Sequence, residues 1–240
     1  MADSKGKDVE ARAQVPLSSA EDTQRFLDAV KRAPGRATGS AGRGRLAFAL
    51  DATASRQPTW TLAQEIQADM FAAAAAHGGL DMQIIYYRGT GECRASPFVG
   101  DAAALRRLMS RIACEGGLTQ IHRVLAHLVR EAERSGLKAA VFVGDALEET
   151  PDRLHELAGQ LALRGVKLFM FQEGYEPNVE RTFRALAAVT GGAYCRFDVR
   201  AGVQLRQLLS AVAAYAAGGR LALEGRRDAG ASLLFSALGK

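Results

Sequence analysis

The stretch Leu46–Trp60, LAFALDATASRQPTW, runs from a short apolar segment straight into an acid and two hydroxyls at every second position: Asp51, Thr53 and Ser55. The apolar part has the length of a strand, and Pro58 suits the first turn of a following helix, with Trp60 and Phe71 packing behind it. The stretch reads strand, loop, helix, with Asp51 at the strand's carboxyl end. That is the unit from which parallel sheets are built.

Outward from it the same alternation repeats. Strands are expected at 45–50, 81–88, 92–98, 138–144, 166–172 and 193–197. Helices with apolar residues at three-and-four spacing are expected near 58–76, 101–113, 119–135, 151–164, 178–190 and 200–217. Segments 81–88 and 92–98 are joined by GTGE, too short for a helical crossover, so they form a hairpin and place one antiparallel strand at an edge. The expected fold is α/β: a three-layer, doubly wound, mostly parallel six-stranded sheet with one antiparallel edge strand. It occupies residues 45–217.

The flanks read differently. Residues 1–44 are a polar, flexible tail carrying one short helix, in which Ser18 and Glu21 form a capping box, Lys31 and Arg32 fill the last turn, and Pro34 and Gly35 stop it. GRATGSAGRGR follows as a linker; it lacks the GK[ST] ending of a phosphate loop and precedes a strand instead of following one. Residues 218–240 open with Gly218 and Gly219 and end in Leu233, Leu234, Phe235 and Leu238, a tail and docking segment.

Composition narrows the function. Hydrophobic residues make up 48% of the chain and aromatics 7%, an alanine- and leucine-rich interior adequate for a core. The net charge of +5 divides as +2 in 1–44, +1 in 45–217 and +2 in 218–240, so the body is nearly neutral and its arginines are scattered singly. That pattern describes a solvated surface and no nucleic-acid partner. Cys93, Cys114 and Cys195 are far apart with no CxxC spacing and read as reduced, part-buried thiols. His122 and His127 lie about 140° apart around a helix axis, which disfavours zinc. The first thirty residues lack an apolar h-region and no run approaches a membrane span, so the expected location is the cytoplasm, away from any membrane.

In a doubly wound sheet, ligands collect outside the carboxyl ends of the strands where the winding reverses. Asp51 sits at such an end. Asp145, in AAVFVGDALEE, closes the fourth strand, and Thr119, in EGGLTQIHRVL, stands at a helix start. Two carboxylates and three hydroxyls converging on one place suit a hard cation of the Mg²⁺ type. Taken singly, each of these residues is as readily explained by capping a loop or bonding to nearby backbone. Their joint placement favours the metal site.

DATAS, then Thr119, then Asp145 resembles the metal-ion-dependent adhesion site of the von Willebrand factor A-like domains, whose pattern is Asp-x-Ser-x-Ser, a distant Thr, and an Asp after the fourth strand. The resemblance covers 45–217, and the strand and helix order agrees with it. It implies that Thr53 and Ser55 bind Mg²⁺ (or Mn²⁺ or Ca²⁺) directly, that Thr119 binds directly or through water, and that Asp51 and Asp145 are outer carboxylates. A partner protein's Asp or Glu completes the shell, in a setting such as an ATPase or chaperone assembly, which is fold-level analogy. Thr53 departs from the usual serine but keeps the hydroxyl. GDALEETPD departs from the usual Asp-Gly, and Glu148 and Glu149 add negative potential at the rim or form the acidic first turn of the next helix.

An alternative is a haloacid-dehalogenase-like Mg²⁺-dependent phosphotransferase using Asp51 as nucleophile. It needs a lysine at the phosphate, and Lys138 opens the strand that Asp145 closes, roughly 20 Å away. No complete catalytic set is found, and a binding module is preferred to an enzyme. The rim around Arg56, Gln57, Thr90 and Gln120 is expected to be polar, with Glu224 and Asp228 of the tail as rival ligands on a tether.

Overall fold

The structure, a computed structural model, describes residues 43–75, 77–197 and 202–224, together with Gln24 and Asp28. Gln24 and Asp28 are helical, and the Gln24 amide donates to the Asp28 carboxylate at 3.0 Å. The rest of the expected leading helix, the linker up to residue 42 and the apolar end of the tail lie outside the described residues.

Six strands form one sheet: β1 (Gly44–Asp51), β2 (Leu80–Arg88), β3 (Glu92–Ala95), β4 (Ala139–Gly144), β5 (Lys167–Glu173) and β6 (Ala193–Phe197). Their order is β3-β2-β1-β4-β5-β6, parallel throughout except for the β2–β3 hairpin at the edge. The helices are α1 (Gln57–Glu65), α2 (Gln67–Ala75), α3 (Ala102–Met109), α4 (Ile121–Ser135), α5 (Pro151–Leu163), α6 (Pro177–Val189) and α7 (Gly202–Glu224). The α/β architecture with an antiparallel edge strand is as the alternation of sequence patterns requires.

Successive residues of a strand face opposite sides, so each parallel strand supplies two cores. On one side Leu46, Phe48 and Leu50 of β1 pack with Val141, Phe169 and Phe171 against Trp60, Met70 and the apolar face of α7. On the other, Ala47 and Ala49 lie against Tyr87, Phe142 and Met170, covered by α4, α5 and α6. Phe142 stacks on Tyr87 and meets the edge of Phe183. Each fully buried phenylalanine contributes about 1.5–3 kcal/mol by transfer from water.

Four elements differ from expectation, the first being α3, which stops at Met109, short of the expected 113. The single helix at 58–76 is two helices, α1 and α2, parted at Ile66, where φ −89° and ψ 0° leave the α region. The break turns the buried Gln67 amide onto the Met109 sulfur at 2.7 Å. β3 is only four residues long, and the chain beyond it stays on the sheet at two isolated places, Ser96 N donating to Ile84 O at 2.8 Å, and Val99 and Met82 exchanging backbone bonds of 2.9 and 2.8 Å. The helix expected at 200–217 continues to Glu224, with Gly219 at φ 66° and ψ −154° kinking it where a linker was expected to begin. Only glycine reaches that conformation without strain. Among the described residues no helix is long and apolar enough to cross a membrane.

Candidate metal site at the strand ends

β1 ends on Asp51, whose side chain is almost wholly buried. Ala52 N donates to Tyr87 O at 3.0 Å, prolonging the ladder by one residue, and the chain then turns into a single 3-10 turn, Ala54–Arg56. Thr53 N donates to Asp51 Oδ1 at 2.7 Å, an Asx turn that fixes the loop on its own acid. Thr53 Oγ1 and Ser55 Oγ stand 3.3 Å apart. The expected alternation of the two hydroxyls on one side is present. Thr53 is buried and Ser55 is exposed, so the trio runs from the interior to the surface.

The second loop, 114–120, is pressed against the first. Glu115 N donates to Ala52 O at 2.9 Å, Leu118 N to Gly89 O at 3.1 Å, and Gln120 Nε2 to Arg88 O at 3.1 Å. A Cβ on Gly117 would fall 2.2 Å from the Gly89 carbonyl oxygen, so only glycine permits this approach. Thr119 is buried, and its Oγ1 accepts from Glu148 N at 3.1 Å while its own N donates to Glu148 Oε2 at 2.6 Å.

Glu148 and Glu149 play a part that neither reading of the sequence anticipated. They precede α5 and instead serve the start of α4. Glu149 accepts from Ile121 N at 2.5 Å and His122 N at 3.0 Å and touches the His122 ring. These are the orphan donors of a helix N-terminus, satisfied by carboxylates from another loop.

Asp145 follows β4 and lies near enough to Asp51 for the two charges to interact. Burial pushes the Asp51 carboxyl up, and Asp145 adds to the rise, against lowering hydrogen bonds from Thr53 and Tyr87. The Tyr87 hydroxyl is fully buried beside Asp51 but closes no hydrogen bond of ordinary geometry with it. Desolvation, and then the Asp51 charge, raise that phenol well above its usual range. A desolvated acid, a neighbouring acid and an unsatisfied hydroxyl are relieved together by a cation. The donor set is all oxygen, a composition suited to a divalent cation.

Arg56 is not on an open polar rim. Its side chain is only 11% exposed, with Nη2 3.0 Å from Asp145 Oδ2 and Nη1 in ion-pair contact with Glu173 Oε2. Nη1 makes no aligned hydrogen bond, so its link to Glu173 is Coulombic. Thr59 Oγ1 donates to the same Glu173 oxygen. The structure thus joins Asp51, Thr53 and Ser55 directly, brings Asp145 to them alongside Arg56, and ties Thr119 to the Asp145 loop through Glu148. Glu173 was missed, although it closes β5 as Asp51 closes β1. Lys138 is at the opposite edge of the sheet, its Nζ 3.3 Å from the Arg164 carbonyl, remote from any phosphate at Asp51.

No family model matches the chain, and no curated protein matches it in sequence. Solved structures do. An aerotolerance-related membrane protein from Bacteroides fragilis NCTC 9343, carrying multiple mutations to serines, superposes with TM-score 0.54 at 13% identity, over 71% of this chain and 98% of that one. The SpRpn10 VWA domain gives TM-score 0.52 at 11% identity, over 74% and 97%. Proximal thread matrix protein 1 from the mussel byssus, in a structure with a zinc-occupied MIDAS motif, gives TM-score 0.54 at 12% identity, over 72% and 46%. At these identities the likeness is one of fold, and the fold is that of the von Willebrand factor A-like domains.

Proposed function

We propose that this chain, with its von Willebrand factor A-like fold, is a divalent-metal-dependent protein interaction module whose partner offers an Asp or Glu side chain. One observation carries the reading: a buried, raised carboxyl at the end of β1 stands beside a second carboxylate and is followed by two hydroxyls 3.3 Å apart, of which Ser55 opens to the surface. Thr53 and Ser55 would hold the ion, Thr119 would contribute directly or through water, and Asp51 and Asp145 would balance its charge from outside. Mg²⁺ or Mn²⁺ matches the oxygen donors, and the bound ion would supply an electrophilic position for an outside carboxylate. The protein's own part is to orient the hydroxyls through the Asx turn and to keep the acids dry.

Arg56 favours a second reading. Its guanidinium already neutralises Asp145 and Glu173, so the motif can persist as shape alone, with a tethered cation in place of an ion. The readings part on metal titration. Under the first, wild type gains stability with Mg²⁺ or Mn²⁺, by about 2.7 kcal/mol at a hundredfold excess over Kd, and Asp51→Ala abolishes the gain. Under the second, calorimetry of wild type at millimolar metal shows no heat of binding and no rise in melting temperature, whereas Arg56→Gln acquires both.

A further inference from the structure

A groove of about 350 Å³ opens between β3 and the first turns of α4, on the side of the sheet that α4 and α5 cover. Its floor is small and apolar, with Ile85 of β2, Ala95 of β3 and Ala126 of α4. Its walls are cationic. Arg123 and Arg130 come from α4, Arg153 from α5 and Arg94 from β3. Nothing in the sequence brought these four together, since they lie on three elements and up to 59 positions apart.

The charges do not cancel. Arg94 pairs with Glu92 at 2.9 Å, but Arg123, Arg130 and Arg153 have no carboxylate within ion-pair distance among the described residues. Arg123 reaches only the Gly91 carbonyl. Two acids on the adjoining turns are already engaged, Glu149 with the α4 N-terminus and His122, and Glu131 with Arg134 and, at 3.8 Å, His127. Elsewhere Arg43, Arg88, Arg164, Arg184, Arg196 and Arg206 each have a carboxylate, and Arg106, Arg107, Arg111 and Arg181, which have none among the described residues, do not line this concavity. Three uncompensated guanidinium groups around one concavity raise the local positive potential and recruit anions.

The second observation concerns backbone. β3 pairs with β2 on one side only and is the last strand of the sheet, so its outer edge offers unpaired N–H and C=O groups. A polypeptide satisfies such an edge by adding as a strand, and an acidic one also meets the arginines. No Phe, Tyr or Trp lines the groove to stack bases, which argues against a nucleic acid.

We propose that the groove between β3 and α4 is a docking site for an acidic peptide segment of a partner protein, added as a strand beside β3 with its carboxylates on Arg123, Arg130 and Arg153. The site is separate from the metal site and does not depend on an ion. Alternate side chains of an added strand point to the same face, so acids at every second position all reach the arginine wall.

Fluorescence anisotropy on the full chain with chelator present tests this, using a labelled peptide of about eight alternating Glu and Val residues. Wild type binds it, and Arg123→Glu with Arg130→Glu weakens binding by at least about tenfold. Arg206→Glu, on the distant α7, changes nothing. N-methylation of alternate peptide nitrogens, which removes strand pairing but no charge, also abolishes binding. If the double variant fails to fold, Arg153→Glu alone gives the same direction with a smaller loss. Equal binding by the reversed variants overturns the proposal. So does undiminished binding of the N-methylated peptide displaced by inorganic phosphate, which marks a small-anion site, and so does an oligothymidine that binds more tightly than the peptide through the same arginines.

Discussion

Two places in this molecule concentrate charge, and they solve the problem in opposite ways. At the ends of β1, β4 and β5, Asp145 and Glu173 close on Arg56, which the chain itself supplies, and Asp51 lies beside Asp145. Beside β3, Arg123, Arg130 and Arg153 gather around an opening, and among the described residues no carboxylate stands within ion-pair distance of them. The first is partly dry and largely answered from within; the second is wet and unanswered. Charges withdrawn from water must be matched inside the fold, whereas charges left in water can wait for a partner.

Removing the built-in cation should have the largest consequence. In chelator, Arg56→Ala leaves Asp145 and Glu173, only 25% and 20% exposed, to repel each other unaided. Breaking a deeply buried pair costs about 3–5 kcal/mol, and partial exposure reduces the expected loss here to about 2 kcal/mol in urea unfolding. An unchanged midpoint would erase the contrast between the two regions.

Removing a groove cation should do almost nothing to the fold. Arg130→Glu is expected to shift stability by no more than about 0.5 kcal/mol, toward stabilisation if at all, because it relieves like-charge repulsion. A loss comparable to that of Arg56→Ala would mean that the arginines are structural, with the anion-binding role gone.

The smallest effect is a pH slope. His127 lines the groove, with Gln83 Oε1 3.0 Å from its Nε2, and burial, then Arg130 and Arg134, hold it below its ordinary value of 6.5 against the pull of Glu131. The folded protein therefore binds fewer protons at His127 than the unfolded chain does. Its contribution to stability is whole above pH 6.5 and declines as pH falls through that value toward the folded one. Melting temperatures from about pH 7.5 to 5 should fall less steeply in His127→Gln than in wild type. Bound acidic peptide should also reduce the slope in wild type, by favouring the charged imidazole.

Much of this was legible in the sequence because it is local. Apolar runs and three-and-four spacing set the six strands and most helices, and the rule that ligands gather at strand carboxyl ends selected Asp51 and Asp145. The same rule misses Glu173 because the strand pattern expected at 166–172 stops at Gln172, one residue short of the acid that closes KLFMFQE. Arg56 was visible next to Ser55, yet its direction depends on a 3-10 turn that no propensity announces. Glu148 and Glu149 look like the first turn of their own helix, and only tertiary packing hands them to α4. The groove was illegible because its arginines come from three elements that the sheet order, not the sequence, makes neighbours.

Gly117, lying on the Gly89 backbone, bears on how mutational surveys of this protein will be read. A library selected for partner capture would score nearly every replacement of Gly117 as a loss, in the same column as replacements of Asp51 or Thr119, although glycine has no side chain to offer a ligand. The two kinds of loss separate only when abundance is scored alongside capture. Gly117 variants should disappear from both measures, and residues that touch a ligand from one.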